Sequence, residues 1–533
     1  MGPWNFYFIA KLFLYFGHYI DFHVVANLVF ATLLVAPLKL SWLRQTRLVL
    51  AVPAGVALLY HDTWFPSFSR LITQVPKMEE FNLSYLVELL GRVISIQVVV
   101  AIALLYLIYY FAEKKLRVTP FVFAGIMLPL LPIPAFVGGD SATPAQTKDQ
   151  ASPSGLRNTS SKSLNPPTSA ELSGALDSFY TEEAARYVSF TPPEKKEAPF
   201  DIVFLHICSL SWDDLNFAKE QNNPLLKKFN IIFTQFNSVA SYSGSAVDRV
   251  LQGSCGQPGE SQLQNASSQC QTFDRLRQVG FEPQLTMNHD GHFENFLADV
   301  KEKGGIKTPP LDKKGIPYYL IGFDGSFIYD DYATLAKWWK KRLDDPSERV
   351  ALYYNTISLH DGNHYLGEQN LNYQLTNSRR TYHSRLNKLI SDLDHFFSQL
   401  EASGRRVIVV FIPEHGAATR GDRMQIPGMR EIPTPEITIV PVGVKLIGMT
   451  WNSATGQLVV SKPTSYLAVT QLLSDFVKRS PFDNGASGLE EYTSNLPVTE
   501  FVAENDKTKI MRYGDQYFIR NDKAEWGKYI HSR

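Results

Sequence analysis

Ile202-Val203-Phe204-Leu205-His206-Ile207, halting at Cys208-Ser209-Leu210-Ser211-Trp212, is a six-residue, mainly apolar run that gives way to small and polar side chains. Its length and its Val, Ile and Phe content read as a β-strand. The same signature recurs at Ile231–Phe236, Tyr318–Gly322, Ala351–Ile357, Arg406–Ile412 and Val440–Ile447. Between these runs lie helical patterns. The clearest is Ser378–Leu400, where Tyr382, Leu386, Leu389, Ile390, Leu393, Phe396, Phe397 and Leu400 recur at three- and four-residue spacing. Such alternation predicts a mainly parallel sheet between helical layers, an α/β/α sandwich, with its ligand site beyond the carboxyl ends of the strands.

Outward from that strand, the sandwich pattern begins near Thr168 and fills 168–533, ample for a large core. Residues 139–167 are dominated by Gly, Ser, Thr, Ala, Pro, Asn and Gln. They bury too little to offset ordering entropy, so a flexible linker is expected. Residues 1–138 are different again, with five apolar stretches at Trp4–Ile20, His23–Leu40, Leu48–Phe65, Val93–Phe111 and Thr119–Val137. Each approaches the length that crosses a hydrocarbon core, which predicts an α-helical membrane domain of about five transmembrane helices. The third is the least regular, since its clean run stops at Tyr60 and meets His61-Asp62, which leaves a re-entrant segment as the alternative.

Lys39, Arg44, Arg47, Lys114, Lys115 and Arg117 fall in the two loops that become cytoplasmic, against Arg70, Lys77 and Arg92 on the other side. The positive-inside bias then sends the sandwich to the outer face. No small-residue cleavage pattern follows the first apolar stretch, so the anchor is expected to stay attached. Leu83, Leu86, Val87, Leu89 and Leu90 share one side of a short helical pattern, with Glu79, Glu80 and Glu88 supplying polarity. That pattern suits either an interfacial helix or a helix capping the span bundle. The whole chain has 533 residues, with 52 Lys+Arg against 52 Asp+Glu. That balance gives no electrostatic footprint for nucleic acid. A mean hydropathy of −0.13 averages an apolar part with an ordinary soluble one.

The chemistry-bearing residues cluster after strands. Cys208 ends the first strand and is either a small buried hydrophobe or a thiolate ligand. Pro413-Glu414-His415-Gly416 directly follows Arg406–Ile412, and a carboxylate beside an imidazole at a strand end can reach one cation. With Cys208 this makes a sulfur, oxygen and nitrogen set that suits zinc better than magnesium or calcium. Ser241-Tyr242-Ser243-Gly244-Ser245 precedes the helical run Ala246–Leu251. A hydroxyl there is either a plain helix cap or a nucleophile at an anion-binding helix end.

His360-Asp361-Gly362-Asn363-His364 follows Ala351–Ile357, and it reads as a second metal site, an acid/base pair or turn chemistry. Arg423 and Arg430 are candidates to hold phosphate oxygens or to remain solvated. Cys255 and Cys270 lie fifteen positions apart in a polar loop on the expected outer face, where a disulfide is favoured over two free thiols.

Taken in order, these features resemble the membrane-anchored phosphoethanolamine transferases of the alkaline phosphatase superfamily. The segments Ile207–Trp212, Ser241–Gly244, Ser254–Gln257, Gly322–Ser326, His360–Tyr365 and Gly421–Gln425, with Trp4–Phe8 and His61–Trp64, look like its cellulose phosphoethanolamine transferase (BcsG) branch. The likeness runs over essentially the whole chain. Ser stands where other branches have a Thr nucleophile, Cys where they have a carboxylate ligand, and Glu before His where they have Asp. These departures favour the cellulose branch.

The resemblance implies an alkaline phosphatase/sulfatase-type sandwich with Ser243 as nucleophile, and Cys208, Ser243, Glu414 and His415 as zinc ligands. It also implies a Cys255–Cys270 disulfide. His360 is suited to proton transfer, Arg430 to phosphate binding, and Tyr242 to substrate contact. The implied reaction carries phosphoethanolamine from phosphatidylethanolamine, through a phosphoserine-type ester, to glucosyl 6-hydroxyls of cellulose. The expected setting is the bacterial inner membrane, multi-pass, with the C-terminal domain in the periplasm beside the cellulose synthase complex. Lipid A or another envelope glycan as acceptor, and a catalytically inactive export scaffold, are the competing readings.

Overall fold

A computed structural model of the chain describes residues 2–17, 19–63, 81–93, 96–130, 166–193, 198–264, 267–367, 378–422, 424–425, 427–449, 456–482, 488–505, 508–521 and 525–530. Arg70, Lys77, Glu79, Glu80, Arg423 and nearly all of 139–167 lie outside them. The chain forms two compact units, residues 1–74 with 94–166, and residues 75–93 with 167–533.

The first unit is helical. Pro3–Phe16, Val24–Val35, Ser41–Asp62, Ile96–Glu113 and Thr119–Met127 each overlap one of the five apolar stretches. Among the described residues no helix is long and apolar enough to cross a membrane. Phe8, Ala31, Ala51, Val122 and Ile126 pack its interior, and its outer surface is unusually apolar, with Val25 76%, Val49 71%, Phe121 69% and Ile108 65% exposed. Inside the bundle Lys11 Nζ pairs with Asp62 Oδ2 at 2.6 Å, and Asn27 bridges them, accepting from Lys11 at 2.7 Å and donating to Asp62 at 2.8 Å. Buried charge in an apolar bundle is tolerated when each charge has a partner, and here each has one.

The second unit is built on a seven-stranded sheet. In chain order its strands are β1 (Asp201–Ile207), β2 (Ile231–Asn237), β3 (Glu282–Met287), β4 (Val350–Thr356), β5 (Val407–Pro413), β6 (Ile439–Ile447) and β7 (Leu458–Val460). The spatial order is β7-β2-β6-β5-β1-β4-β3. All neighbours pair in parallel except β6, which runs antiparallel to both β2 and β5. Side chains alternate between two cores. Ile202, Phe204, Ile408, Val410 and Ile412 face one helical layer, which includes Ser243–Leu251 and Tyr466–Lys478. Val203, Leu205, Ile207, Val407, Val409 and Phe411 face the other, where Tyr382, Leu386, Leu389, Leu393 and Phe396 of the helix Ser378–Ala402 meet them. Each such buried side chain contributes about 1.5–3 kcal/mol, which is why both faces read as apolar.

Three parts of the architecture differ from the sequence expectation. The run at Tyr318–Gly322 does form a strand, Tyr318–Ile321, but it joins a small antiparallel sheet with Phe327–Tyr329 and His364–Tyr365. The central sheet instead takes both its edge strands from outside that set: Glu282–Met287, whose Glu, Pro and Gln hide it from an apolar count, and the three-residue Leu458–Val460. The C-terminal residues fold as a four-stranded antiparallel meander, Val502–Asn505, Thr508–Tyr513, Gln516–Asn521 and Gly527–Tyr529. Leu172 and Leu176 of the helix Ser169–Ala184 pack on it.

Candidate metal centre

Because β1, β2, β4 and β5 are parallel, their carboxyl ends open on one edge of the sheet, and each delivers a candidate residue there. The last ladder bonds set the positions: Cys208 N donates to Thr356 O at 3.0 Å and Glu414 N donates to Ile207 O at 2.8 Å. Leu210 N then donates to His415 O at 2.7 Å, tying the two loops together. Beyond β2 the chain turns through Val239, at φ 70°, into the helix Ser243–Leu251, for which Tyr242 is the cap position. Ser209, just after Cys208, also holds a left-handed φ of 66°. Strain of this kind costs about 1–3 kcal/mol per residue and persists only where neighbours impose it. Tyr382 OH donates to Ser209 O at 2.7 Å and Arg430 Nη1 to Ser209 Oγ at 3.2 Å.

The structure brings together Cys208, Ser243, Glu414 and His415. Donor atoms of Cys208, Glu414 and His415 all lie within 4.8 Å of one another, and all three residues are fully buried. Ser243 Oγ is 3.6 Å from Cys208 Sγ and 3.4 Å from His415 Nε2. His415 Nδ1 lies between Gly416 O at 2.9 Å and Arg430 Nη1 at 3.1 Å, and the ring presents Nε2 to Ser243. Glu414 Oε1 accepts from Asn355 at 2.6 Å, while Oε2 is buried without a hydrogen-bond partner among the described residues.

Without a cation this cluster favours neutral forms. Burial, and then Glu414, push the Cys208 thiol up to about 12. Burial raises the Glu414 carboxyl, and burial and then Arg430 hold His415 well below the usual imidazole range. A thiol, an orphaned carboxylate oxygen and a neutral imidazole that converge in a buried cluster are a donor set for a zinc ion, whose binding would expel the thiol and carboxyl protons. The residues present therefore fit zinc.

Around the centre stand the other predicted residues. Arg430 Nη1 lies 3.1 Å from His415 Nδ1, and its guanidinium is 5.9 Å from the Tyr242 ring. Tyr242 OH donates to Glu431 at 2.5 Å. The His360 side chain is lowered to about 3 by burial and then Arg430, so it is neutral at neutral pH, and Nδ1 sits 2.6 Å from Asp361 O. Among the described residues no metal-capable group includes His360 or His364; His364 lies on a strand of the small antiparallel sheet. Cys255 and Cys270 are joined by a disulfide, and Cys208 is left as the free thiol.

Sequence reading missed the supports. Asn355 carries no motif, because its role depends on a strand pairing. Asp214 had a signal, since Ser211 and Asp214 have capping-box spacing: it accepts from Ser211 N, Ser211 Oγ, Ala417 N and Thr419 Oγ1 at 2.7–3.0 Å and so joins the loops after β1 and β5.

Residues 157–526 match the family model "Cellulose biosynthesis protein BcsG C-terminal domain", and residues 4–130 match the corresponding N-terminal domain. The chain is 38% identical over 545 residues to the cellulose biosynthesis protein BcsG of Escherichia coli K12, covering 99% of this chain and 96% of that one. It is 37% identical to the protein of the same name from Salmonella typhimurium LT2, with the same coverage. Among solved structures, a protein in the alkaline phosphatase superfamily from Vibrio parahaemolyticus aligns at 15% identity and a TM-score of 0.47, covering 67% of this chain and 87% of that one. That last likeness is too slight to bear on function.

Proposed function

We propose, from the premise that the chain belongs to the BcsG family of cellulose biosynthesis proteins, that it transfers phosphoethanolamine from phosphatidylethanolamine to glucosyl 6-hydroxyls of cellulose. The observation that carries this reading is Ser243 at a helix N-terminus, its Oγ 3.4 Å from His415 Nε2 and 3.6 Å from Cys208 Sγ. A serine so placed has no structural need for those neighbours, and it is a nucleophile that awaits a charge.

Cys208, Ser243, Glu414 and His415 would hold zinc. When bound, zinc supplies the positive charge that favours the serine alkoxide. The chain's own residues do the rest. Ser243 Oγ forms the new phosphorus–oxygen bond as the bond to the glyceryl oxygen breaks, the serine proton ends on the departing diacylglycerol, and the free N–H groups of the helix Ser243–Leu251 and the Arg430 guanidinium take the phosphate oxygens. Neutral His360 accepts the proton of the incoming glucosyl hydroxyl, which displaces Ser243 from phosphorus. The product is the cellulose phosphodiester, and the proton passes on from His360 to Ser243 Oγ, which regenerates both groups.

The donor is a lipid, and the apolar outer surface of the first unit supports an anchor in the bacterial inner membrane. We assign residues 1–138 to that anchor, 139–167 to a tether, and 168–533 to a periplasmic catalytic domain of alkaline phosphatase type, beside the cellulose synthase complex. The test is peptide mass of the full chain, with zinc, in phosphatidylethanolamine vesicles, wild type against Ser243→Ala. A phosphoethanolamine adduct on Ser243, absent from the variant, supports the reading. A zinc-loaded chain that forms no adduct and cleaves no phosphodiester would make it an inactive scaffold, and an adduct discharged onto lipid A but not onto glucan would change the acceptor.

A further inference from the structure

Residues 75–93 lie in sequence between helices of the first unit, yet they group with 167–533. At the start of the helix Leu83–Val93, Asn82 N donates to Phe323 O at 2.9 Å and Tyr85 OH donates to Asp361 Oδ2 at 3.2 Å. The rings of Phe81 and Tyr85 stand edge-on to Phe323, at 5.8 Å and 6.2 Å. Tyr85 is 7% exposed and Phe323 5%. Gly362, at φ +83°, admits this approach, since a Cβ there would stand 2.6 Å from the Tyr85 ring.

Two contacts set the His360 ring. Its Nδ1 meets Asp361 O at 2.6 Å, and its face stacks on Phe323 at 4.2 Å. Asp361 and Phe323 are both held by the segment 81–85. From the other side Arg385 donates to Ser358 O at 2.7 Å and His360 O at 2.9 Å. The loop thus has one brace from its own domain and one from the anchor half of the sequence.

We propose that Tyr85 is a positioning residue for His360, so that the anchor half of the chain completes the catalytic unit. The inference rests on the role given to His360 above. Through Asp361 the Tyr85 hydroxyl fixes the loop whose carbonyl selects the His360 tautomer and leaves Nε2 to accept a proton. Through Phe323 the same segment fixes the plane of the ring. A catalytic unit that began at residue 167 would lack both supports, which ties transfer to an intact anchor. Plain packing of an amphipathic helix explains the ring contacts but gives no reason for the hydroxyl to end on Asp361.

The experiment uses the full chain with zinc in phosphatidylethanolamine vesicles, with Tyr85→Phe made in the wild type and in His360→Ala. Tyr85→Phe keeps the ring and removes the hydroxyl, and transfer should fall about ten- to a hundredfold, as slight misplacement of a reacting group costs. In the His360→Ala background the same substitution should cost nothing more. Unchanged transfer in Tyr85→Phe, or the same fold-loss in both backgrounds, overturns the proposal. Should His360→Ala itself retain full transfer, the role of His360 fails, and hydrogen exchange decides the brace separately. Amides of 357–363 should exchange about tenfold faster in a folded Tyr85→Ala chain; unchanged exchange there overturns the brace.

Discussion

Asn355 Nδ2 reaches Glu414 Oε1 at 2.6 Å across an intervening strand, from β4 to the end of β5 over β1. Its own Oδ1 lies 2.8 Å from His289 Nε2, so a relay of three side chains orients the carboxylate and leaves Oε2 to face Cys208 and His415. Such supports typically govern metal affinity by about 10–100-fold. Asn355→Ala should weaken zinc binding by that factor in competition with a chelator, while Thr356 and Cys208 stay in register. Unchanged affinity would mean that Glu414 needs no external orientation.

His289 makes the relay sensitive to acid. Burial lowers its pKa to about 4, against an ordinary value near 6.5. The unfolded chain therefore takes up a proton below pH 6.5 that the folded chain refuses until about pH 4. The resulting stability is fully present above pH 6.5 and is lost as pH falls through that window. Denaturant unfolding should show wild type falling more steeply than His289→Gln, by about 1.4 kcal/mol per pH unit. Parallel slopes between pH 6 and 5 would refute the assignment.

The disulfide acts elsewhere. Cys255–Cys270 closes a loop of fifteen residues just past the helix that carries Ser243. On the chain-entropy estimate a closure of that length stabilises by roughly 3 kcal/mol. The double variant Cys255→Ala/Cys270→Ala should lose about that much in denaturant unfolding, and its zinc content should stay the same because Cys208 is untouched. Loss of zinc along with stability would place the loop closer to the centre than the contacts do.

How far the sequence could be read follows from what each signal encodes. Strands buried on both faces announce themselves, and the residues at their carboxyl ends, Cys208, Glu414 and His415, were legible because chain adjacency puts them there. Ser243 was legible as a hydroxyl before a helix. Whether those four meet depends on strand order, which no local pattern carries. Asn355 is the plainest case, an ordinary polar residue until β1 comes between it and Glu414. The edge strand Glu282–Met287 was hidden by its polar side chains. The C-terminal meander was hidden by its short strands, although Tyr513-Gly514-Asp515-Gln516, with Gly514 at φ 64°, carries a hairpin signal. Lys11 carries no signal of its own within the apolar stretch Trp4–Ile20, because its partner Asp62 lies 51 residues away.

Asp214 supplies the strongest test of how the centre is held. Its Oδ2 accepts from Ser211 N, Ser211 Oγ and Ala417 N, and its Oδ1 from Thr419 Oγ1. An amide in its place must turn an NH2 group toward donors, which leaves buried polar groups unpaired at about 1–3 kcal/mol each. Asp214→Asn should therefore destabilise the chain by a few kcal/mol and loosen the loop that carries His415. Gly416→Ala strikes the same junction by another route, since its Cβ would stand 2.6 Å from Ser211 Oγ and 2.8 Å from Asp214 Oδ2. If the junction positions His415, both variants should lose zinc affinity and transfer well below their melting temperatures, and zinc should raise their melting temperatures less than it raises that of wild type. If either variant melts early yet binds zinc as tightly as wild type, the junction holds the fold and leaves the centre alone.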